Sequence, residues 1–205
     1  MNSIYDSREE CNGIINKSTN ELIIGCRNTT IPNSVTNIGD YAFYDCYGLT
    51  SMIIPDGVTE IGENAFGECT QLANVTIGSG VKKIDNSAFF YCISLISLTI
   101  PSNVESIGDS AFRLCKSLTD VAISYSVTNI GNSAFSGCTS LTDVTIPDSV
   151  TSLGDSAFEG CTSLTDVIIE NSAIKIGVYA FSGCSKIKNL TIPVSVEINN
   201  KNTFR

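Results

Sequence analysis

The residues of this sequence that could do chemistry are nine cysteines, many serines and threonines, and 21 Asp+Glu. Histidine is absent, which removes the usual general base, the Ser-His-Asp triad and most zinc ligand sets. A hydroxyl nucleophile would need a lysine base, and the lysines are scattered. Paired carboxylates can cleave glycosides, but the acidic residues fall on solvent-facing columns with no cleft in prospect. The expectation is a non-enzyme, with no catalytic, cofactor-binding or metal-binding residues to assign.

The cysteines divide into two groups. Cys46, Cys69, Cys92, Cys115, Cys138, Cys161 and Cys184 recur every 23 residues. Zinc sites need ligands that converge on a point, whereas one thiol per unit makes a line. Each is read as a small buried hydrophobe whose S–H donates weakly to a backbone carbonyl. In-register columns sit ~4.8 Å apart, beyond the usual Cβ separation of a disulfide, so these seven thiols are expected to be free. Cys11 and Cys26 flank a segment symmetric about Ser18-Thr19. A hairpin there pairs Ile15 with Leu22 and Ile14 with Ile23, and it faces Cys11 towards Cys26 as a candidate disulfide in an oxidising compartment.

What positions these residues is a repeat of 23 residues without insertions. The pair Ala-Phe occurs seven times, from Ala42-Phe43 to Ala180-Phe181, and each Phe is followed three residues later by a ladder Cys. Columns of Ile, Leu and Val complete the unit. The stretch Leu141–Ile146 carries L-x-x-V-x-I, a half-buried strand, and Pro147 ends it. Val150–Gly154 is a second extended piece. Asp155 is expected to N-cap one or two helical or 3₁₀ turns over Ser156–Cys161. One unit cannot bury its inward side chains alone, so the units must stack into a solenoid with a continuous core. Recurrent proline and β-branched residues argue against a helical array.

The motif L-x-x-V-x-I-P-x-S-V-T-x-I-G-x-x-A-F-x-x-C resembles the BspA-like (treponemal-type) leucine-rich repeat, over about Ile31 to Ile192. That resemblance implies a leucine-rich repeat solenoid, mainly β with short helical or 3₁₀ turns. It implies a binding function in a bacterial surface or secreted protein, since several family members are described as adhesins for host matrix proteins such as fibronectin or fibrinogen. Departures include Asp85 in a glycine column, and Gly78, Ser124 and Glu170 in place of proline. The expected organisation is an N-terminal capping hairpin (1–30), seven repeats (31–195) and a truncated further repeat (196–205). The final edge has no evident cap, so self-association there is expected.

A net charge of −9 disfavours nucleic acid, and no apolar run approaches a membrane span. The partner is therefore expected to be a protein. The outward strand column reads Ser51, Asn74, Ser97, Asp120, Asp143, Asp166, Asn189, and the next reads Ile53, Thr76, Thr99, Ala122, Thr145, Ile168, Thr191. Like charges on neighbouring strands repel, so a basic protein patch or a weakly held Ca²⁺ would relieve a cost already present. The alternative is a hydrated stripe on drifted repeats. The candidate binding face is thus Asp120, Asp143 and Asp166 with Asn74, Asn189, Thr99, Thr145 and Ile168. A spacer with no ligand, or a glycan-binding module, remains as an alternative reading.

Overall fold

The computed structural model describes residues 5–6, 12–172, 174–194, 196 and 203–204. In each unit, alternation builds the long strand: in Ser51–Ile54, Met52 and Ile54 are buried while Ser51 and Ile53 face out. A turn follows, closed by Val58 N donating to Pro55 O at 3.1 Å. The short strand Glu60–Ile61 comes next. The chain then returns through consecutive turns, Ala65 N to Gly62 O at 3.2 Å, Gly67 N to Asn64 O at 3.0 Å and Cys69 N to Phe66 O at 3.2 Å.

No helix occurs among the described residues. The expected helical turns are β-turns instead, because Asn64 and Glu68 take left-handed φ of 50° and 59° and interrupt the helical path. Asp155 is accordingly not an N-cap. Its Oδ1 accepts from the backbone N of Val178, in the next unit, at 2.8 Å.

Units stack in parallel with a shift of one repeat. The short strands pair Ile38 with Ile61, Ile61 with Ile84 and so on to Leu153 with Ile176. At its N-terminal end this ten-stranded sheet takes in the hairpin Ile14–Asn16/Glu21–Ile24, through pairing of Leu22 with Ile38. In the hairpin, Ile15 faces Leu22 as expected, but a bulge shifts Ile14 onto Ile24 rather than Ile23. Cys11 lies outside the described residues, and Cys26 carries a free thiol.

The long strands do not form one ladder. They divide into Ser51–Ile54 with Asn74–Ile77, Ser97–Thr99 with Asp120–Ala122, and Asp143–Ile146 with Asp166–Ile169 and Asn189–Thr191. At each break the first bond persists, Ile96 N to Ala73 O at 3.2 Å and Thr142 N to Thr119 O at 3.4 Å, and the strands splay beyond it. Both breaks follow a unit that lacks the strand-ending proline, at Gly78 and Ser124. The ladder after Glu170 is intact, so the substitution alone does not open it.

The core lies between the two strand layers and the turns. Seven buried phenylalanines stack along it with centroids 4.8–5.4 Å apart and planes within 12°. Phe204 continues the column 5.2 Å from Phe181, and Thr203 O accepts from Phe181 N, so Thr203-Phe204 occupies the Ala-Phe position of a further unit. Offset ring pairs contribute about 0.5–1.5 kcal/mol each beyond the area they bury.

Candidate binding face and the ladders behind it

Two ladders hold the units in register, one of buried thiols and one of exposed Asp and Asn side chains. In the first, each thiol from Cys69 to Cys184 donates to the carbonyl of the Phe one unit back. Cys69 Sγ lies 3.0 Å from Phe43 O and Cys115 Sγ 3.3 Å from Phe89 O. Each of these carbonyls also accepts the backbone N–H three residues on, as Phe43 O does from Cys46 at 3.1 Å. Both lone pairs of a buried acceptor are thereby used. Burial pushes Cys69 and Cys138 up to about 12, and it raises Cys92 and Cys115 well above the ordinary thiol value. These thiols are neutral donors, not nucleophiles.

The second ladder was not foreseen. Asp40, Asn86, Asp109, Asn132 and Asp155 share a column, and the Oδ1 of each accepts the backbone N–H of the next unit at 2.7–2.8 Å. Glu63 is too long to do this for Asn86. Asp85, which breaks the glycine column, supplies the missing acceptor: Asn86 N donates to its Oδ1 at 2.7 Å. Lys83 then bridges Asp85 at 2.6 Å and Glu60 at 3.0 Å, and its own pKa is raised by those two partners. The recurrence of Asp or Asn after glycine was the signal available in the sequence.

On the strand face, the candidate residues are all exposed except the half-buried Asp166. Asp143, Asp166 and Asn189 are in-register neighbours in one ladder, with Thr145 opposite Ile168. Asp120 pairs instead with Ser97, in the same two-stranded sheet as Thr99, and Asn74 lies in a third sheet. The acidic row is therefore a close pair plus a third member across a break. Its charges are partly answered from within. Asp166 accepts from Thr165 Oγ1 and Asn189 Nδ2, each at 2.5 Å, and Asp143 accepts from Thr142 Oγ1 at 2.8 Å. The Thr165 hydroxyl, the Asn189 amide and then nearby Lys188 hold the Asp166 carboxyl below its ordinary range.

No group of three or more His, Cys, Asp or Glu among the described residues could hold a metal ion. Two shallow hollows lie on the rim, the first at the break between Asn74–Ile77 and Ser97–Thr99 and the second beyond the ends of the paired strands Ser97–Thr99 and Asp120–Ala122. One of about 440 Å³ lies between Thr76 and Thr99, and one of about 580 Å³ between Ile100 and Tyr125; both are lined by Thr99, Pro101 and Ser102.

The family model for the BspA type leucine rich repeat region matches residues 14–142 and 106–205, in six copies. The chain belongs to the BspA-type leucine-rich repeat family. Among solved structures it is similar to the T. pallidum leucine-rich repeat protein, at 30% identity and a TM-score of 0.73, covering 90% of this chain and 87% of that one. It is also similar to a leucine-rich repeat protein from Bacteroides ovatus, at 27% identity and a TM-score of 0.61, covering 93% of this chain and 57% of that one. The pneumococcal vaccine antigen PcpA shares the fold at 16% identity and a TM-score of 0.54, covering 88% of this chain and 46% of that one. No curated protein matches the chain.

Proposed function

We propose that the chain is a non-catalytic, adhesin-like protein-binding segment of a surface or secreted protein, whose ligand lies across several repeats of the strand face. The observation that carries this reading is the change along one outward column. Ser51, Asn74 and Ser97 give way to Asp120, Asp143 and Asp166, on an array whose inward columns hardly vary. A spacer has no reason to concentrate carboxylates in one stretch, where they repel. Family resemblance supports a surface or secreted location and host matrix proteins as partners. The test is direct binding of the full chain to immobilised fibronectin and fibrinogen at low and high salt. Saturable, salt-sensitive binding supports the reading. Absence of binding to either, at both salt levels, returns the chain to the spacer reading.

A further inference from the structure

Each turn carrying Ala-Phe-x-x-Cys needs a left-handed residue just before the Cys. The column reads Asp45 (φ 60°), Glu68 (59°), Tyr91 (59°), Leu114 (62°), then Gly137 (74°), Gly160 (70°) and Gly183 (73°). Glycine adopts this conformation without steric cost, and Asp tolerates it. Tyr and Leu have no such help. Three units use glycine, so the backbone does not require a side chain here. The first four units carry one regardless.

The same four units hold the large side chains of this ridge. Tyr44 and Tyr47 stand exposed in the first, where the last three units have Ser, Glu or Thr in those columns. Tyr44 lies along Gly67, where an added Cβ would come within 3.0 Å of its ring, and its hydroxyl donates to Glu68 at 2.6 Å. Further along, Arg113 sits 6.0 Å from the Phe90 ring centroid and Lys116 5.8 Å from that of Tyr91. Side chains kept at a strained position, where the fold offers glycine as an alternative, point to a use outside the fold.

We propose that the turn ridge of the third and fourth units is a second docking surface, for a protein segment that presents carboxylates to Arg113 and Lys116 and apolar side chains to Tyr91 and Leu114. Tyr and Arg are the residues enriched at interface hot spots. Charge sets the partner: the chain is net −9 overall and the first two units put Asp45 and Glu68 on this ridge, but in the third and fourth units Tyr91 and Leu114 take that column and Arg113 and Lys116 stand over aromatic rings, so an acidic segment finds cations there, whereas the Asp row repels it. A stacked sugar fits less well, because the cations already cover two of the ring faces. The inference rests on the reading of the chain as a protein-binding segment, but it places a contact of opposite charge preference on a different face.

The test is selection of a random displayed peptide library on the full chain, on Arg113→Glu/Lys116→Glu and on Asp120→Asn/Asp143→Asn/Asp166→Asn. The expected result is a pool rich in Asp or Glu beside aromatic or aliphatic residues. Its binding should fall on the order of tenfold or more in the charge-reversed variant and hold in the triple Asn variant. Should charge reversal unfold the chain, Tyr91→Gly/Leu114→Gly is the second variant; three other units already carry glycine there, and the same loss is expected. Acidic peptides that bind every variant alike would overturn the ridge. Selection of basic peptides alone, lost in the triple Asn variant, would also overturn it while upholding the strand face. No enriched pool on any form of the chain would sink both surfaces.

Discussion

At the scale of single residues, the thiol ladder shows how a reactive group is made inert. The S–H points at a carbonyl one unit back, and burial holds the thiol neutral. An unfolded thiol titrates near its ordinary value of 9.0, while Cys69 and Cys138 wait until about 12. The folded pKa is raised on an acid, so the neutral form is the one the fold favours. Stability is full below pH 9 and falls as pH rises towards 12, because the unfolded chain releases protons that the folded chain keeps. Between about pH 8 and about pH 10 the Cys69 and Cys138 thiols should each lower stability by on the order of 1 kcal/mol. Denaturant unfolding at the two pH values checks this. A Cys69→Ala/Cys138→Ala variant should lose roughly 2 kcal/mol less over the same interval, though its stability at neutral pH is lower. Native alkylation should spare the thiols from Cys69 to Cys161, and labelling of several of them without denaturant would contradict the burial argument.

At the scale of the element, the turn is where sequence and structure part most. The Phe, Cys and Ile columns were legible because inward positions repeat with the period and alternate with polar residues. Left-handed φ at Ser87, Tyr91 or Leu114 leaves no mark on hydrophobic periodicity, so the compact segment read as a short helix. The Asp and Asn ladder was hidden for another reason. Its members are exposed polar residues, and their work is done on a backbone group in the next unit. The breaks in the long-strand ladder depend on how units splay, which no single unit encodes. Glu63 and Asp85 make the ladder testable. Asp85→Gly should remove the acceptor of Asn86 N, and Glu63→Asp should bring a shorter carboxylate against the Asp85 backbone, where only glycine fits elsewhere: a Cβ at Gly62 would meet Asp40 Oδ1 at 2.6 Å. Each single change should cost about 1 kcal/mol. The double variant restores the pattern of the other units and should recover most of the loss. Additive losses in the unfolding cycle would show that the two positions are not coupled.

At the scale of the whole molecule, a solenoid is one long core with two ends and several faces. Towards the C-terminal end, Leu190 is 40% exposed although its column is otherwise largely buried. An open strand edge with apolar groups beside it is a template for pairing. Sedimentation should therefore show concentration-dependent association that weakens when Leu190→Lys places a charge on that edge; a chain that stays monomeric at every concentration tested would count against it. The faces differ in what they ask of a partner. On the strand face, Asp143 and Asp166 are in register and Asp120 stands across a break. Exposed carboxylates contribute roughly 0.2–1 kcal/mol each, and Asp166 already has internal donors, so a single Asp→Asn change should hardly alter binding. The triple Asn change should slow association with a basic partner and flatten its salt dependence, because the summed field of the row, not any one contact, steers the encounter. Removing like charges from neighbouring strands should meanwhile leave the thermal midpoint unchanged or slightly higher. Association rates measured across a salt series for the wild-type and triple Asn chains separate the two effects. Equal rates and equal salt slopes would move the contact off the strand face.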